Sequence, residues 1–324
     1  MSDTILSQFT SYLQAKSLGK LPANLYTPVD YILEIGGKRF RPVLLLLAHG
    51  LFNDKVDQAL PAALAMEVFH NFTLLHDDIM DEAPLRRGRE TVHHKFGLNA
   101  GILSGDVMMI KAFELLLESP VSSEIKENII RLFALTGRQV CEGQQLDMDF
   151  EQREDVQLSE YLQMIEWKTA VLIAASLEIG AQLGGAGKAD ATHLYEFGRN
   201  MGLAFQVQDD LLDTFGDPEK FGKRPGGDIL QNKKTFLILR GLELAAPSER
   251  QALQNLYFRP SLDEQQKIEA VRDWFSRLGV QEQAQAAQQQ YQEAAFAHLD
   301  AVQAPEAKKR KLANLAESLI IRDV

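Results

Sequence analysis

The stretch AALAMEVFHNFTLLHDDIMDE, residues 62 to 82, decides how the rest of the chain reads. Most of it is apolar, with no Pro or Gly to break it, and it ends in the acidic run His76 to Glu82. Such a run reads as a buried helix. On that helix Asp77 and Asp81 stand four residues apart and share a face, with Asp78 three residues from Asp81. Like charges at this spacing cost a helix roughly 0.2–0.5 kcal/mol per pair, and no basic residue lies between them to compensate. The spacing therefore predicts a cation at this point.

Further along, the same arrangement returns. The apolar run Met201 to Phe205 and then Gln206 lead into Asp209, Asp210 and Asp213. One acidic cluster at a helix end is commonly a solvated face. Two copies at the same internal spacing, each fed by an apolar helix, point to chemistry.

Between the two clusters and beyond them, apolar residues recur at helical spacing, as in Ile110, Phe113 and Leu117, then Ile129, Leu132, Phe133 and Leu135. No segment alternates as a strand would. The pattern predicts helices over 25–35, 42–53, 58–82, 99–118, 122–147, 158–184, 189–216, 232–245, 262–279 and 281–302, with another near the C-terminus. Gly36-Gly37 and Gly184-Gly185 supply helix ends, and Pro42 suits a first turn. No linker and no fixed-period repeat is visible, and the Gln-rich stretch Gln281 to Gln292 keeps a helical pattern. The reading is an all-α protein with one helical domain over residues 1–324.

Composition narrows the function. A net charge of −11 argues against a nucleic-acid binder, because phosphate backbones are met by basic surfaces. The single cysteine, Cys141, can form no internal disulfide, and no Cys/His cluster has zinc spacing, so a reducing compartment and a buried, unreactive thiol are expected. The N-terminal 20 residues lack the charged and apolar regions of a secretory signal. The most apolar segment, Val43 to Ala48, is far shorter than the roughly 20 residues that cross a bilayer. A cytoplasmic protein without a membrane span follows.

Carboxylates without thiolates or paired imidazoles suit hard cations, and no glycine-containing EF-hand loop is present, which leaves magnesium. Magnesium keeps several waters and takes one or two protein carboxylates, so two such clusters make sense as holders of a metal-bridged diphosphate. Concentrated positives accompany them: Lys38, Arg39 and Arg41, then Arg86, Arg87 and Arg89 directly after the first cluster, then Lys223-Arg224 and Lys233-Lys234 after the second. Arginine forks and lysine point charges beside acid-held metals fit a polyphosphate ligand.

These residues resemble the trans-isoprenyl diphosphate synthase, or polyprenyl synthetase, family. The likeness runs from Gly36 to Lys234 as Gly-Gly-Lys-Arg-x-Arg-Pro, Asp-Asp-x-x-Asp, Arg-Arg-Gly, Gly105-Asp106, Gly143-Gln144 with Asp147, Lys168-Thr169 and Phe205-Gln206-x-x-Asp-Asp-x-x-Asp. Ala316 to Arg322 resembles the family's closing helix. The resemblance implies a helical bundle around a central cavity, a homodimer, and three magnesium ions per site. It makes Asp77, Asp81 and Asp209 the principal metal ligands, with Asp78, Asp147, Asp210 and Asp213 in support. Arg86, Lys168, Thr169, Gln206, Lys223 and Lys233 become contacts of the allylic diphosphate, and Lys38, Arg41, His70 and Arg87 contacts of isopentenyl diphosphate. Asp77, Asp81, Arg86, Lys168, Asp209 and Lys223 carry catalysis in this reading.

The implied reaction is head-to-tail condensation of isopentenyl diphosphate with an allylic diphosphate. On the helix, Thr73, His70 and Met66 fall close to the Asp77 direction, with Met66 roughly 16 Å back along the axis, and Phe72 lies off that face. The family places its chain-length gate at the fourth and fifth positions before the first acidic motif, here Thr73 and Phe72. One aromatic beside one small residue resembles a geranylgeranyl (C20) synthase more than a farnesyl (C15) one. Two rival readings are a terpene cyclase, which replaces the second acidic motif, and a non-catalytic partner subunit, which loses metal ligands. Both motifs are intact here.

Overall fold

The computed structural model describes residues 2–217, 225–259 and 263–320, and they are almost entirely helical. In chain order the helices are α1 (Ser2–Ala15), α2 (Ala23–Ile35), α3 (Phe40–Phe52), α4 (Leu60–Met80), α5 (Val92–Phe96), α6 (Leu98–Leu117), α7 (Ser123–Glu151), α8 (Leu158–Ile165) and α9 (Val171–Gly184). There follow α10 (Lys188–Phe215), α11 (Gly227–Leu230), α12 (Phe236–Leu244), α13 (Pro247–Phe258), α14 (Glu264–Arg277), α15 (Val280–Ala301) and α16 (Glu306–Ile320). Two short strands, β1 (Leu85–Arg86) and β2 (Arg89–Glu90), pair antiparallel around Arg87-Gly88.

The described residues form two compact units: 2–134, 175–194 and 302–312 in the first, and 135–174, 195–301 and 313–320 in the second. In the first unit α4 is the core element. Ala62 to Phe69 are all buried, so this helix is enclosed on every side, as an all-round apolar segment must be. It packs against α6, α3, α1 and α2. Val43 to Ala48 of α3 are likewise buried, and Gly180 of α9 lies so close to Leu45 that a Cβ there would stand 2.2 Å from its carbonyl oxygen. The core of the second unit gathers Phe150, Tyr161, Leu211, Ile238, Tyr257, Ile268 and Phe275 from α7, α8, α10, α12, α13 and α14. No described helix is long and apolar enough to cross a membrane.

Helix ends follow local chemistry. Gly36 ends α2 at φ 80°, Gly185 follows α9 at φ 90°, and Pro42 and Pro61 sit in the first turns of α3 and α4. The Asp263 carboxylate caps α14, accepting from Gln266 N at 2.9 Å.

Several expectations need correction. The helix expected over 158–184 is interrupted by a π-helical turn at Glu166–Ala170. The one expected from 232 begins only at Phe236, because Asn232 adopts a left-handed backbone, φ 57°. Helices α1, α5, α11 and α13 were not expected, although Pro247 in the first turn of α13 and Glu249 bonding back to Ala246 N are start signals. Cys141 is exposed rather than buried. Partial burial and the adjacent Glu142 still push its thiol up, in keeping with an unreactive group.

Candidate active site

The first acidic cluster occupies the last turn of α4 and its C-cap, Asp81. The C-terminal end of a helix carries partial negative charge, so acids there are unfavourably placed without a cation. One cation comes from the β1 strand. Arg86 Nε donates to both oxygens of Asp78, at 2.9 and 2.7 Å, its Nη2 lies 2.7 Å from the same carboxylate, and Asp77 is 3.7 Å from Nη2. Asp78 is 3 % exposed, whereas Asp77 is half-buried and Asp81 exposed. The middle acid thus faces inward to Arg86 and Asp81 faces outward, while Asp77 lies between them with its Oδ1 buried.

Behind this cluster lies a basic shell. Arg41 Nη1 stands 3.0 Å from His70 Nε2. A guanidinium can only donate, so this imidazole nitrogen accepts and the ring proton sits on Nδ1. Burial, then the charges of Arg41, Arg87, Arg86 and Arg39, hold His70 well below the usual imidazole range, so the ring is neutral. Burial also lowers Arg41 to about 10, and its Nε is buried with no hydrogen-bond partner. An orphaned buried donor costs about 1–3 kcal/mol, which an anionic ligand would relieve. Arg39 and Arg87 both take left-handed backbone conformations, φ 48° and 53°, a strain that collects at ligand sites. Gly37 makes room for Arg87: a Cβ there would lie 2.4 Å from its Nη1. Glu67, buried in α4, pairs with Arg39 and accepts from Asn71 Nδ2 at 2.8 Å, tying the Gly36-to-Arg41 loop to the helix. Lys38 is exposed in that loop.

In the second unit Asp209, Asp210 and Asp213 fall in the last turns of α10, again at the negative end. Asp210 is 4 % exposed, and its Oδ2 accepts from Tyr161 Oη at 2.6 Å and Phe236 N at 2.9 Å. Burial pushes its carboxyl up to about 8, against the pull of those two donors. Asp213 Oδ2 accepts from Asp228 N at 2.9 Å, and burial beside Asp228 raises its carboxyl. Lys233 Nζ lies 3.4 Å from Asp228 Oδ1. Asp209 is half-buried, as is Gln206 one turn earlier.

Lys168 and Thr169 sit in the π-helical turn, a feature that recurs at functional sites. Lys168 Nζ donates to Asp147 Oδ2 of α7 at 2.6 Å. A Cβ on Gly143 would lie 2.4 Å from Lys168 N, so that glycine allows α7 to approach the turn. Lys223 lies outside the described residues.

Of the chain-length pair, Thr73 directs its hydroxyl to His70 O at 2.8 Å. Phe72 is buried in a T-shaped aromatic series with Phe69 and His76, continued from Phe69 through Phe133 to Phe113. Sequence reasoning missed Glu67, Tyr161 and Asp228. Glu67 alone carried a signal, a carboxylate inside a wholly apolar helical run.

Both clusters present carboxylate oxygens with no thiolate, a donor set that fits magnesium. Among the described residues no three carboxylate, imidazole or thiolate side chains form a preformed cage. A metal that retains waters and takes much of its coordination from substrate phosphate needs none.

The helical fold, the two acidic helix ends and the arginine shell define a prenyltransferase of the polyprenyl synthetase type. The chain belongs to the polyprenyl synthetase family, whose sequence pattern matches residues 22–274. It is 44 % identical over 228 residues to a geranylgeranyl diphosphate synthase of Methanosarcina mazei, covering 68 % of each chain. A crystal structure of a geranylgeranyl pyrophosphate synthase superimposes with a TM-score of 0.91 at 41 % identity, over 99 % of this chain and 98 % of the other. The Corynebacterium glutamicum geranylgeranyl pyrophosphate synthase, crystallised with isoprenyl diphosphate and magnesium, gives a TM-score of 0.80 at 28 % identity, over 99 % and 97 % of the two chains.

Proposed function

We propose that this chain condenses isopentenyl diphosphate with allylic diphosphates, with magnesium, to make geranylgeranyl diphosphate, and that residues 1–324 act as one catalytic domain. The observation that carries the reading is the pair of acidic helix ends accompanied by an arginine shell with an unsatisfied buried guanidinium N–H. Asp77, Asp81 and Asp209 are the principal ligands, with Asp147 and Asp213 in support, for three ions, while the buried Asp78 and Asp210, held by Arg86 and Tyr161, support the metals by steadying the helix ends that carry the outer acids. When bound, magnesium supplies Lewis-acid neutralisation of the leaving diphosphate.

Arg86, Lys168, Thr169, Gln206, Lys223 and Lys233 hold the allylic diphosphate. Lys38, Arg41, Arg87 and the neutral His70 hold the isopentenyl one. Held so, the allylic C–O bond breaks and the diphosphate leaves with the electron pair. The double bond of isopentenyl diphosphate attacks the resulting allylic cation, forming the new C–C bond. A proton then passes from the adjacent carbon to the departed diphosphate, giving the elongated allylic product. Water is kept out of the site during this sequence, since it would convert the cation to an alcohol.

Phe72 and Thr73 set product length. The C20 assignment draws on the names of the relatives and on one aromatic beside one small residue at these positions. We place the protein in the cytoplasm, as its single cysteine suits a reducing compartment. It works as a homodimer, a reading supported by Leu103, Ile110 and Leu117, which α6 exposes by 58 %, 53 % and 52 % in one row.

Incubation with magnesium, isopentenyl diphosphate and, separately, C5, C10 and C15 allylic diphosphates tests the reading. A C20 diphosphate that disappears on chelation is expected. A folded protein that condenses none of the primers overturns it. Phe72→Ala should lengthen the product, and an unchanged product spectrum would remove Phe72 from the gate.

A further inference from the structure

The segment 225–235, ahead of α12, is held by groups of the second unit on several sides. Asp213 takes Asp228 N through its carboxylate and Gly226 N, at 2.6 Å, through its carbonyl. Asp210 takes Phe236 N at 2.9 Å. Buried Tyr257 donates its hydroxyl to Lys233 O at 2.8 Å. The remaining hold is a lysine that no motif contains. Lys267 of α14 is 3 % exposed, and its Nζ donates to Ile229 O and to Asn232 Oδ1, both at 2.6 Å.

A buried ammonium is costly unless its protons find acceptors. Among the described residues no carboxylate pairs with Lys267. Its partners are one carbonyl, one amide oxygen and the face of Tyr257, whose ring centroid lies 5.3 Å away. It occupies the inward stripe of α14 beside Ile268, Val271 and Phe275, where an apolar residue would fill the same space without that cost. What the ammonium adds is its two acceptors. Ile229 O, in the last turn of α11, also accepts from Asn232 N at 3.3 Å, so the ammonium and the turn's own backbone meet at one carbonyl. Asn232 is the residue at φ 57°. Directly after it comes Lys233, which reaches Asp228 across the turn. Gly226 packs against the neighbouring Ile268, at 2.7 Å for a built Cβ, so α14 meets the segment at both of its ends.

We propose that Lys267 is a positioning residue for prenyl transfer: through Ile229 O and Asn232 Oδ1 it fixes the left-handed turn that sets Lys233 and Asp228 beside the second acidic cluster. The inference rests on the reading of Lys233 as an allylic-diphosphate contact. Lys267 itself touches no substrate.

The test compares Lys267→Met, Asn232→Gly and Lys233→Ala, alone and combined, by steady-state kinetics with farnesyl and isopentenyl diphosphates. Glycine takes φ 57° without strain while removing the acceptor and the side chain's hold on the turn, so Asn232→Gly decides the question even where Lys267→Met does not fold. Each should raise the allylic KM about tenfold per folded molecule while the isopentenyl KM stays within about twofold. Either one combined with Lys233→Ala should be no worse than Lys233→Ala alone, because residues acting through one group are not additive. An unchanged allylic KM in Asn232→Gly, or an equal loss for both substrates, overturns the proposal, as do additive losses in the double variants. A Lys233→Ala enzyme with the parent allylic KM would instead overturn the assignment of Lys233, whatever Lys267 does.

Discussion

The ends of α4 and α10 carry the same Asp-Asp-x-x-Asp pattern and treat it differently. In both, the middle acid is buried and the first is half-buried: Asp78 and Asp210 are 3 % and 4 % exposed. In the first unit the buried acid is neutralised by a cation, Arg86, which is continuous with the basic shell around His70. In the second it is held by neutral donors, Tyr161 Oη and Phe236 N, and burial raises its carboxyl to about 8. The motif therefore specifies the outer acids, while the inner one ties its helix to whatever each unit supplies. At α4 that tie leads to the arginine shell around His70. At α10 it leads to the turn that carries Asp228 and Lys233.

The sharpest way to break this comparison is to remove the outer acids. Asp77→Ala and Asp209→Ala should each lower turnover by about a thousandfold or more with the far-UV circular dichroism unchanged, as loss of metal-held charge stabilisation implies. Full activity in either would sink the metal assignment. Next come the inner acids, read by urea unfolding. Asp210→Ala leaves a hydroxyl and an amide N–H unpaired in the core and should cost about 2–4 kcal/mol. Asp78→Ala leaves Arg86, whose side chain is 21 % exposed and reaches water, so its cost should be smaller, about 1–2 kcal/mol. The reverse order would mean that the two helix ends are not built as described. Tyr161→Phe removes one of the two donors to Asp210 and should cost about 1 kcal/mol.

A further effect, graded with pH, comes from His70. His70 is held below its unfolded value, so the fold favours the neutral ring. Its contribution is complete above the unfolded pKa of about 6.5 and declines as pH falls from there toward the depressed folded value, by at most about 1.4 kcal/mol per pH unit. His70→Gln should flatten the melting temperature between pH 7 and 5. An equally steep profile in the variant would place the charge change elsewhere.

What was legible in the sequence were features repeated along the chain. The 3.6-residue spacing located the long helices, and the duplicated acidic motif located two of their ends. What was not legible depends on a single backbone deviation or on a distant partner. The π-helical turn at Glu166–Ala170 changes one hydrogen-bond register without altering the apolar pattern, so 158–184 read as continuous. The late start of α12 follows from Asn232, whose left-handed backbone a pattern of apolar residues does not report. Asp78 and Asp210 could not be told from their outer neighbours until Arg86 and Tyr161 were placed against them. Cys141 was assigned to the core by residue type, whereas its side of α7 is exposed.

In the proposed function the outer acids recruit metal for a diphosphate that the arginine shell already attracts. Calorimetric binding of inorganic diphosphate, with and without magnesium, tests it most directly. Weak binding is expected without magnesium, with a large gain on adding it and loss of that gain alone in Asp77→Ala and Asp209→Ala. Equal affinity with and without magnesium, or an undiminished gain in both variants, would contradict it.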